Sequence, residues 1–218
     1  MPFILPLFVK AFLTLFVVID PVGLVPLYLA LVHDRSEEEQ SQIAIRAVVV
    51  SAVILLAFGL TGAYVLHNLG ISLQAFQMAA GVLLFKIALD MIFVHQERET
   101  QAEAEEAESR RDVSVFPLAI PLIAGPGSLA SILVLSREST NYYLGLSVVL
   151  AAAAIVILLC YLFLLLSRPM AKVLGQIGIN VVTRVLGVLL AALAVQYIVD
   201  GLLTLLQLPP AEAFALLP

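Results

Sequence analysis

From Ala47 to Leu66 the chain runs for 20 residues without a charged side chain. That is the length a helix needs to cross a hydrocarbon layer about 30 Å thick at about 1.5 Å per residue. Comparable runs recur, and six can be marked, near residues 3 to 32, 47 to 66, 70 to 94, 114 to 136, 142 to 167 and 184 to 206. The second, fourth and fifth carry no charge at all. With 62% hydrophobic and 12% charged residues and a mean hydropathy of +1.09, the composition lies far from that of soluble domains. The expected fold is an all-α membrane protein whose lipid bilayer is its first partner.

The net charge of -5 comes largely from one hydrophilic stretch, Gln96 to Asp112. It therefore marks no basic surface for nucleic acid. This stretch is rich in Ala and Glu and sets Glu106 four residues before Arg110, but it has no apolar stripe to bury. It reads as a solvated linker. The single cysteine, Cys160, falls inside the fifth span, with no second thiol for a disulfide or a metal, and reads as a small packing residue. The N-terminal apolar run is too long for a signal-peptide core and lacks a basic leader, so it counts as the first span.

Lys and Arg in short loops set membrane orientation. If all six runs cross, one side holds Arg35, Arg46, Arg98, Arg110, Arg111, Arg168, Lys172 and Arg184, while the other holds Lys10 and Arg137. The bias predicts charged loops in the cytoplasm and both termini outside, which in a bacterium means the inner membrane.

Internal similarity points to duplication. Gly81-Val82-Leu83-Leu84 recurs as Gly187-Val188-Leu189-Leu190, Gly70-Ile71-Ser72 is echoed by Gly178-Ile179-Asn180, and Asp20-Pro21-Val22-Gly23 faces Gly125-Pro126-Gly127-Ser128. Each match is short, but the offsets, 106, 108 and 105 residues, nearly agree. A unit of three crossings is odd, so the second copy enters from the opposite side and the repeat is inverted. The expected organisation is a three-span repeat over 1–95, a cytoplasmic linker over 96–113 and a second repeat over 114–218.

Both repeats open on a segment rich in proline and glycine. In the first, Pro21 and Pro26 flank Gly23, and each proline removes a donor and crowds the carbonyl four residues earlier. Asp20 before Pro21 has the residue order of an N-cap followed by proline at the first helical position. In the second, Pro117, Pro121 and Pro126 precede or interrupt the run, and Gly125 and Gly127 bracket the last of them. Proline and glycine can merely kink a membrane helix, but breaks at repeat-related positions favour half-helices. Irregular backbone is tolerated at depth only inside protein or along a cavity. There, helix N-termini can receive an anion and unwound carbonyls a cation.

Asp20 lies at mid-depth, where a carboxylate costs at least about 2.5 kcal/mol on insertion scales unless it is capped, paired, protonated or hydrated. Two roles stand side by side, a helix cap and a contact to a substrate ammonium or a coupling ion. Lys86 and Asp90 share a helix face and can pair, with the lysine stem reaching for the cytoplasmic interface. Gln196 carries an amide at depth that needs a partner, in a cavity or across helices. Asp200 sits nearer the outer interface. Thr14, Gln77, Ser128, Ser131 and Asn180 are further polar groups for a cavity or for helix packing. His33, His67 and His95 all fall at span ends, and no H-E-x-x-H, P-loop or G-x-G-x-x-G occurs, so the expectation is a non-enzyme without a cofactor or resident metal.

Three motifs taken together, Ile19-Asp20-Pro21-Val22-Gly23, Pro117-Leu118-Ala119-Ile120-Pro121-Leu122-Ile123-Ala124-Gly125-Pro126-Gly127, and Gln196 to Asp200-Gly201, resemble the MarC family, also called the SnatA or NAAT family. The resemblance runs through essentially the whole chain. It implies a six-span inner-membrane protein, and for some members a sodium- or proton-coupled transporter of small neutral amino acids such as glycine and alanine. One departure is Leu24, where relatives often carry asparagine after the glycine. On this reading a small zwitterion places its carboxylate at backbone N–H groups near Gly125, Pro126, Gly127 and Ser128. Its ammonium, or a coupling sodium ion or proton, goes to Asp20 and the carbonyls around Pro21. Gly23 and Gln196 complete the site, with Lys86 and Asp90 as a supporting polar pair. A passive channel or exporter, or a membrane scaffold that transports nothing, would share much of this sequence. No feature of the sequence points to an oligomeric state.

Overall fold

The structure is a computed structural model, and it describes residues 4–93, 113–139 and 141–207. The linker expected over 96–113, with its Glu106 to Arg110 spacing and neighbouring His95, lies outside the described residues except for Val113. The described residues form α1 (Ile4–Ile19), α2 (Leu24–Leu31), α3 (Glu37–Asn68), α4 (Leu73–Phe93), an irregular wide-turned segment α5 (Ser114–Ile123), α6 (Pro126–Ser136), α7 (Tyr142–Leu165) and α8 (Ser167–Gln207). Among the described residues there is no strand.

Four stretches, α3, α4, α7 and Ile177–Leu206 within α8, are each long and apolar enough to cross a membrane. Two bent pairs, α1 with α2 at 44° and α5 with α6 at 45°, bring the count to six if each pair is one span. The bends have chemical causes. Pro21 ends α1 because it has no N–H for the fourth carbonyl back. In α5 the residues before proline, Phe116 (φ -129°, ψ 125°) and Ile120 (φ -125°, ψ 125°), are extended, as the proline ring forces on its predecessor.

Helix ends are sealed where they leave lipid. Ser36 and Glu39 form a reciprocal cap on α3: the Ser36 N–H donates to Glu39 Oε2 at 2.9 Å and the Glu39 N–H to Ser36 Oγ at 3.3 Å. The Ser36 backbone N–H and hydroxyl hold the exposed Glu39 carboxyl below its usual range. Three glutamates in this first turn also face the positive end of the helix. Asn141 caps α7 by accepting the N–H groups of Tyr143 and Leu144.

The α2–α3 turn is tied from both sides. The Tyr28 hydroxyl donates to the Gln40 carbonyl at 2.7 Å, and Gln40 Nε2 donates to the carbonyls of Val32 and Arg35 at 3.0 and 2.9 Å. We expect Gln40→Leu to strip both side-chain bonds and destabilise the protein by about 1–3 kcal/mol. A lower melting temperature in detergent, with the Tyr28 bond to backbone untouched, is the measurement. An unchanged melt would show the turn to be held by other contacts.

Helices α4 and α8 run antiparallel and form the most extensive helix pair in the fold. Their closeness rests on glycine. A Cβ on Gly81 would lie 2.6 Å from Ile198 Cγ1 and 2.7 Å from the Ala194 carbonyl oxygen. One on Gly187 would lie 2.9 Å from Met91 Cβ and meet Ile92 and the Ala88 carbonyl. The pattern is reciprocal: Gly81 faces 194 and 198, and Gly187 faces 88 and 92, each 106 residues from its counterpart. Small residues of this kind let membrane helices approach to backbone contact.

Left-handed glycine backbone occurs at Gly70 (φ 67°) and Gly175 (φ 62°), 105 residues apart. The conformational partner of Gly70 is thus Gly175 rather than Gly178, which a match of letters suggests. Gly175 also separates a short helical stretch carrying Arg168 and Lys172 from the membrane-length part of α8.

Helix α6 sits at the centre of the bundle, against α1, α3, α4 and α7, and nine of its eleven residues are buried. Around it the large apolar side chains of α3, α7 and α8, such as Val53, Leu158 and Val188, are exposed, as lipid-facing residues are.

Candidate functional site

The first break is the four-residue turn Asp20 to Gly23 between α1 and α2, and its geometry differs from the expected N-cap. Helix α2 begins at Leu24, with Gly23 as its cap residue and no side chain capping it. Asp20 adopts a left-handed conformation (φ 46°). From there Asp20 Oδ1 accepts the Gly23 N–H at 3.1 Å, so the carboxylate braces the turn itself. The aspartate tolerates this φ because its short polar side chain bonds to nearby backbone.

Asp20 is buried at 8% exposure, and among the described residues no Lys, Arg or His pairs with it. Around the turn, Val22, Val25 and Ile179 form a small apolar cluster with Leu29, Phe163 and Val182 packed on it. Cys160 on α7 is within electrostatic reach of the carboxylate and is itself fully buried. Thr183 Oγ1, on α8, is turned towards the carboxylate but completes no hydrogen bond. A side chain at Gly23 would have to displace the Asp20 carboxylate, and its Cβ would sit 3.2 Å from Thr183 Oγ1.

The second break has a different finish. Gly125 is extended (φ -84°, ψ 173°), Pro126 opens α6, and no side chain caps this helix. Ser128 Oγ donates to the carbonyls of Ile123 and Gly125, at 2.9 and 3.0 Å, and Ser131 Oγ to that of Gly127 at 2.8 Å. Both serines therefore bind backbone. Gly127 packs against Leu84 of α4 and Val18 of α1, which sets the first turn of α6 beside the last turn of α1. The two breaks are neighbours.

The remaining residues expected at a site lie elsewhere. Lys86 and Asp90 do pair, at 3.0 Å, but with the lysine side chain 66% exposed on the outside of α4. Gln196 is on the exposed side of α8, and its amide donates to Asp200 at 2.6 Å within the same helix. That local bond satisfies the amide without a cavity or a second helix. His33 lies beside Asp34 in the α2–α3 loop, and His67 ends α3. Among the described residues no cluster of His, Cys, Asp or Glu could hold a metal.

Sequence reading does not single out Thr183 or Tyr197. Both come from α8, both are nearly fully buried, at 6% and 4% exposure, and both hydroxyls lack a hydrogen-bond partner. Tyr197 faces Ser131 in the second half, as Thr183 faces Asp20 in the first. In the sequence each is a lone hydroxyl on one face of an apolar helix, and a threonine in an apolar span more often bonds its own backbone.

A family model described as MarC family integral membrane protein matches residues 5–206 of this chain. The chain belongs to the MarC family. Among curated relatives, this MarC protein is similar to a UPF0056 membrane protein of Aquifex aeolicus, at 39% identity over 203 residues, with 92% of this chain and 94% of the relative covered. A UPF0056 membrane protein of Methanocaldococcus jannaschii is 37% identical over 196 residues, covering 89% and 95%. The UPF0056 membrane protein YhcE of Escherichia coli is 33% identical over 201 residues, covering 90% and 92%. No solved structure matches.

Proposed function

We propose that this MarC protein is a secondary transporter of small neutral amino acids, glycine- or alanine-like, rather than an enzyme. It is driven by a sodium or proton gradient and uses no cofactor. The observation that carries the proposal is Asp20. A buried carboxylate with no cationic partner, held at a break in a membrane span, is a costly arrangement unless an ammonium group, a cation or a proton occupies it. The adjoining second break adds the uncapped N-terminus of α6, whose free N–H groups near Gly127 and Ser128 suit the carboxylate of the same zwitterion.

The architecture that goes with this reading is six spans in two inverted three-span repeats, α1–α4 and α5–α8. Bends of 44° and 45° in corresponding spans, left-handed glycines 105 residues apart and the reciprocal contacts of Gly81 and Gly187 support a two-fold axis in the membrane plane. Such axes place the binding site where the repeats meet. The arginine and lysine bias supports an inner-membrane location with both termini outside.

Purified protein in proteoliposomes should take up labelled glycine and alanine when a sodium or a pH gradient is imposed, and much less when both are collapsed. Uptake indifferent to either gradient would identify a passive channel. No uptake of any small amino acid under any gradient would sink the transporter reading for these substrates.

A further inference from the structure

We propose that residues 167–174, between α7 and the membrane-length part of α8, form a lid over the first break, latched by the ion pair of Arg168 with Glu37 and turning on Gly175. The inference rests on the transporter reading, because a lid has a purpose only over a binding site, and it says how that site is shut where α7 ends. The segment has two unlike faces. Towards the protein, Ser167 is buried at 3% exposure, and Met170 packs on the cluster of Val22, Val25 and Ile179. Val22 belongs to the Asp20 turn and Val25 to the first turn of α2, so Met170 lies directly against the break. Away from the protein, Arg168 and Lys172 are exposed one turn apart, and Val173 is 86% exposed.

Both ends of the segment are joints. At Leu166 (φ -90°, ψ 13°) α7 stops and the chain turns into the lid. At the far end Gly175 takes a left-handed φ of 62°, which side chains disfavour. A Cβ there would meet nothing within 4 Å, so this glycine is needed for its backbone and the space around it is open. Between the joints the fastening is light. Arg168 Nη1 donates to Glu37 Oε1 at 2.8 Å, with the two side chains 51% and 84% exposed. That pair ties the lid, in the second half of the chain, to the first turn of α3 in the first half. Beyond it the lid is held by a buried serine and a partly buried methionine. A segment with so few buried contacts opens locally at far lower cost than the helices beneath it. An exposed ion pair is strong enough to shift such an equilibrium by about two- to fivefold.

The experiment reads access to the cluster beneath Met170. The full chain carrying Cys160→Ala and Val25→Cys is held in nanodiscs, and the rate of labelling by the water-soluble thiol reagent p-chloromercuribenzenesulfonate is measured. Ala153→Cys, at a buried position midway along α7, is the control in the same background. With the native latch, Val25→Cys should label slowly. Glu37→Gln should raise its rate by about two- to fivefold, and Arg168→Glu, which sets two carboxylates against each other, should raise it further. Exchanging the charges, Glu37→Arg with Arg168→Glu, should bring the rate back near its starting value. Labelling at Ala153→Cys should stay constant throughout. If a latch variant does not give monodisperse protein, salt does the same work: raising it from about 0.05 to about 1 M shortens the screening length to about 3 Å. That change should speed labelling of Val25→Cys while the native latch is present. Labelling that is indifferent to both latch and salt, or that rises equally at Ala153→Cys, overturns the proposal. Latch-dependent labelling without amino-acid uptake keeps the lid and defeats the transporter reading, whereas uptake with latch-independent labelling does the reverse.

Discussion

Asp20→Asn should reduce amino-acid uptake by about a hundredfold while leaving a protein that extracts, purifies and melts normally. The variant separates charge from structure. Asparagine keeps an oxygen for the Gly23 N–H, which Asp20 Oδ1 accepts at 3.1 Å, and tolerates the left-handed backbone that Asp20 adopts. The turn therefore survives. What disappears is a buried negative charge, and removing one partner from a buried charged contact costs about 2–5 kcal/mol in binding. Stability should move the other way. An unpaired carboxylate in a low-dielectric site opposes folding, so in the absence of ion and substrate the neutral variant should melt at or above wild type. A fully active Asp20→Asn protein would refute the assigned role.

The second large effect belongs to the α4–α8 contact. A leucine at Gly81 would drive its side chain into the Ala194 carbonyl and the backbone nitrogen of Ile198, and backbone cannot turn aside as a side chain can. Gly81→Leu should therefore give little or no monodisperse protein on size-exclusion chromatography. Alanine is the graded version: overpacking by one methyl at Gly81 or Gly187 should each cost about 1–3 kcal/mol. Because the two glycines face reciprocal positions, their alanine variants should lower the melting temperature by similar amounts. A wild-type melt for Gly81→Ala would mean that the helices part easily at this point. A large effect at one glycine and none at the other would argue against a two-fold relation between the halves.

The membrane class, the apolar runs and the two breaks could be read from the sequence because each is written in local chemistry. Runs without charge follow the bilayer, and proline breaks a helix wherever it stands. Other features depend on what the chain meets only after folding. Helix α3 begins at Glu37, ten residues before the apolar run at Ala47, because the Ser36 cap and its acidic first turn sustain a helix in water as well as in lipid. Asp20 in front of Pro21 reads like a helix cap. The helix instead starts three residues further on, because the carboxylate captures the Gly23 N–H and folds the intervening residues into a turn. Gln196 at depth suggests a cavity, yet Asp200 one turn away satisfies it, a pairing that spacing permits but does not select. Thr183 escapes notice altogether, because only the tertiary fold carries it to Asp20.

The burial of α6 has a consequence for biogenesis. This segment is short, carries Ser128, Ser131 and Ser136, and has almost no face to offer lipid. Of the four helices that enclose it, α1, α3 and α4 precede it in the chain and only α7 follows. Three walls of its groove are thus synthesised before Pro126 and the fourth after it. A segment with so little surface for lipid suits insertion beside α1, α3 and α4, with α7 completing the enclosure.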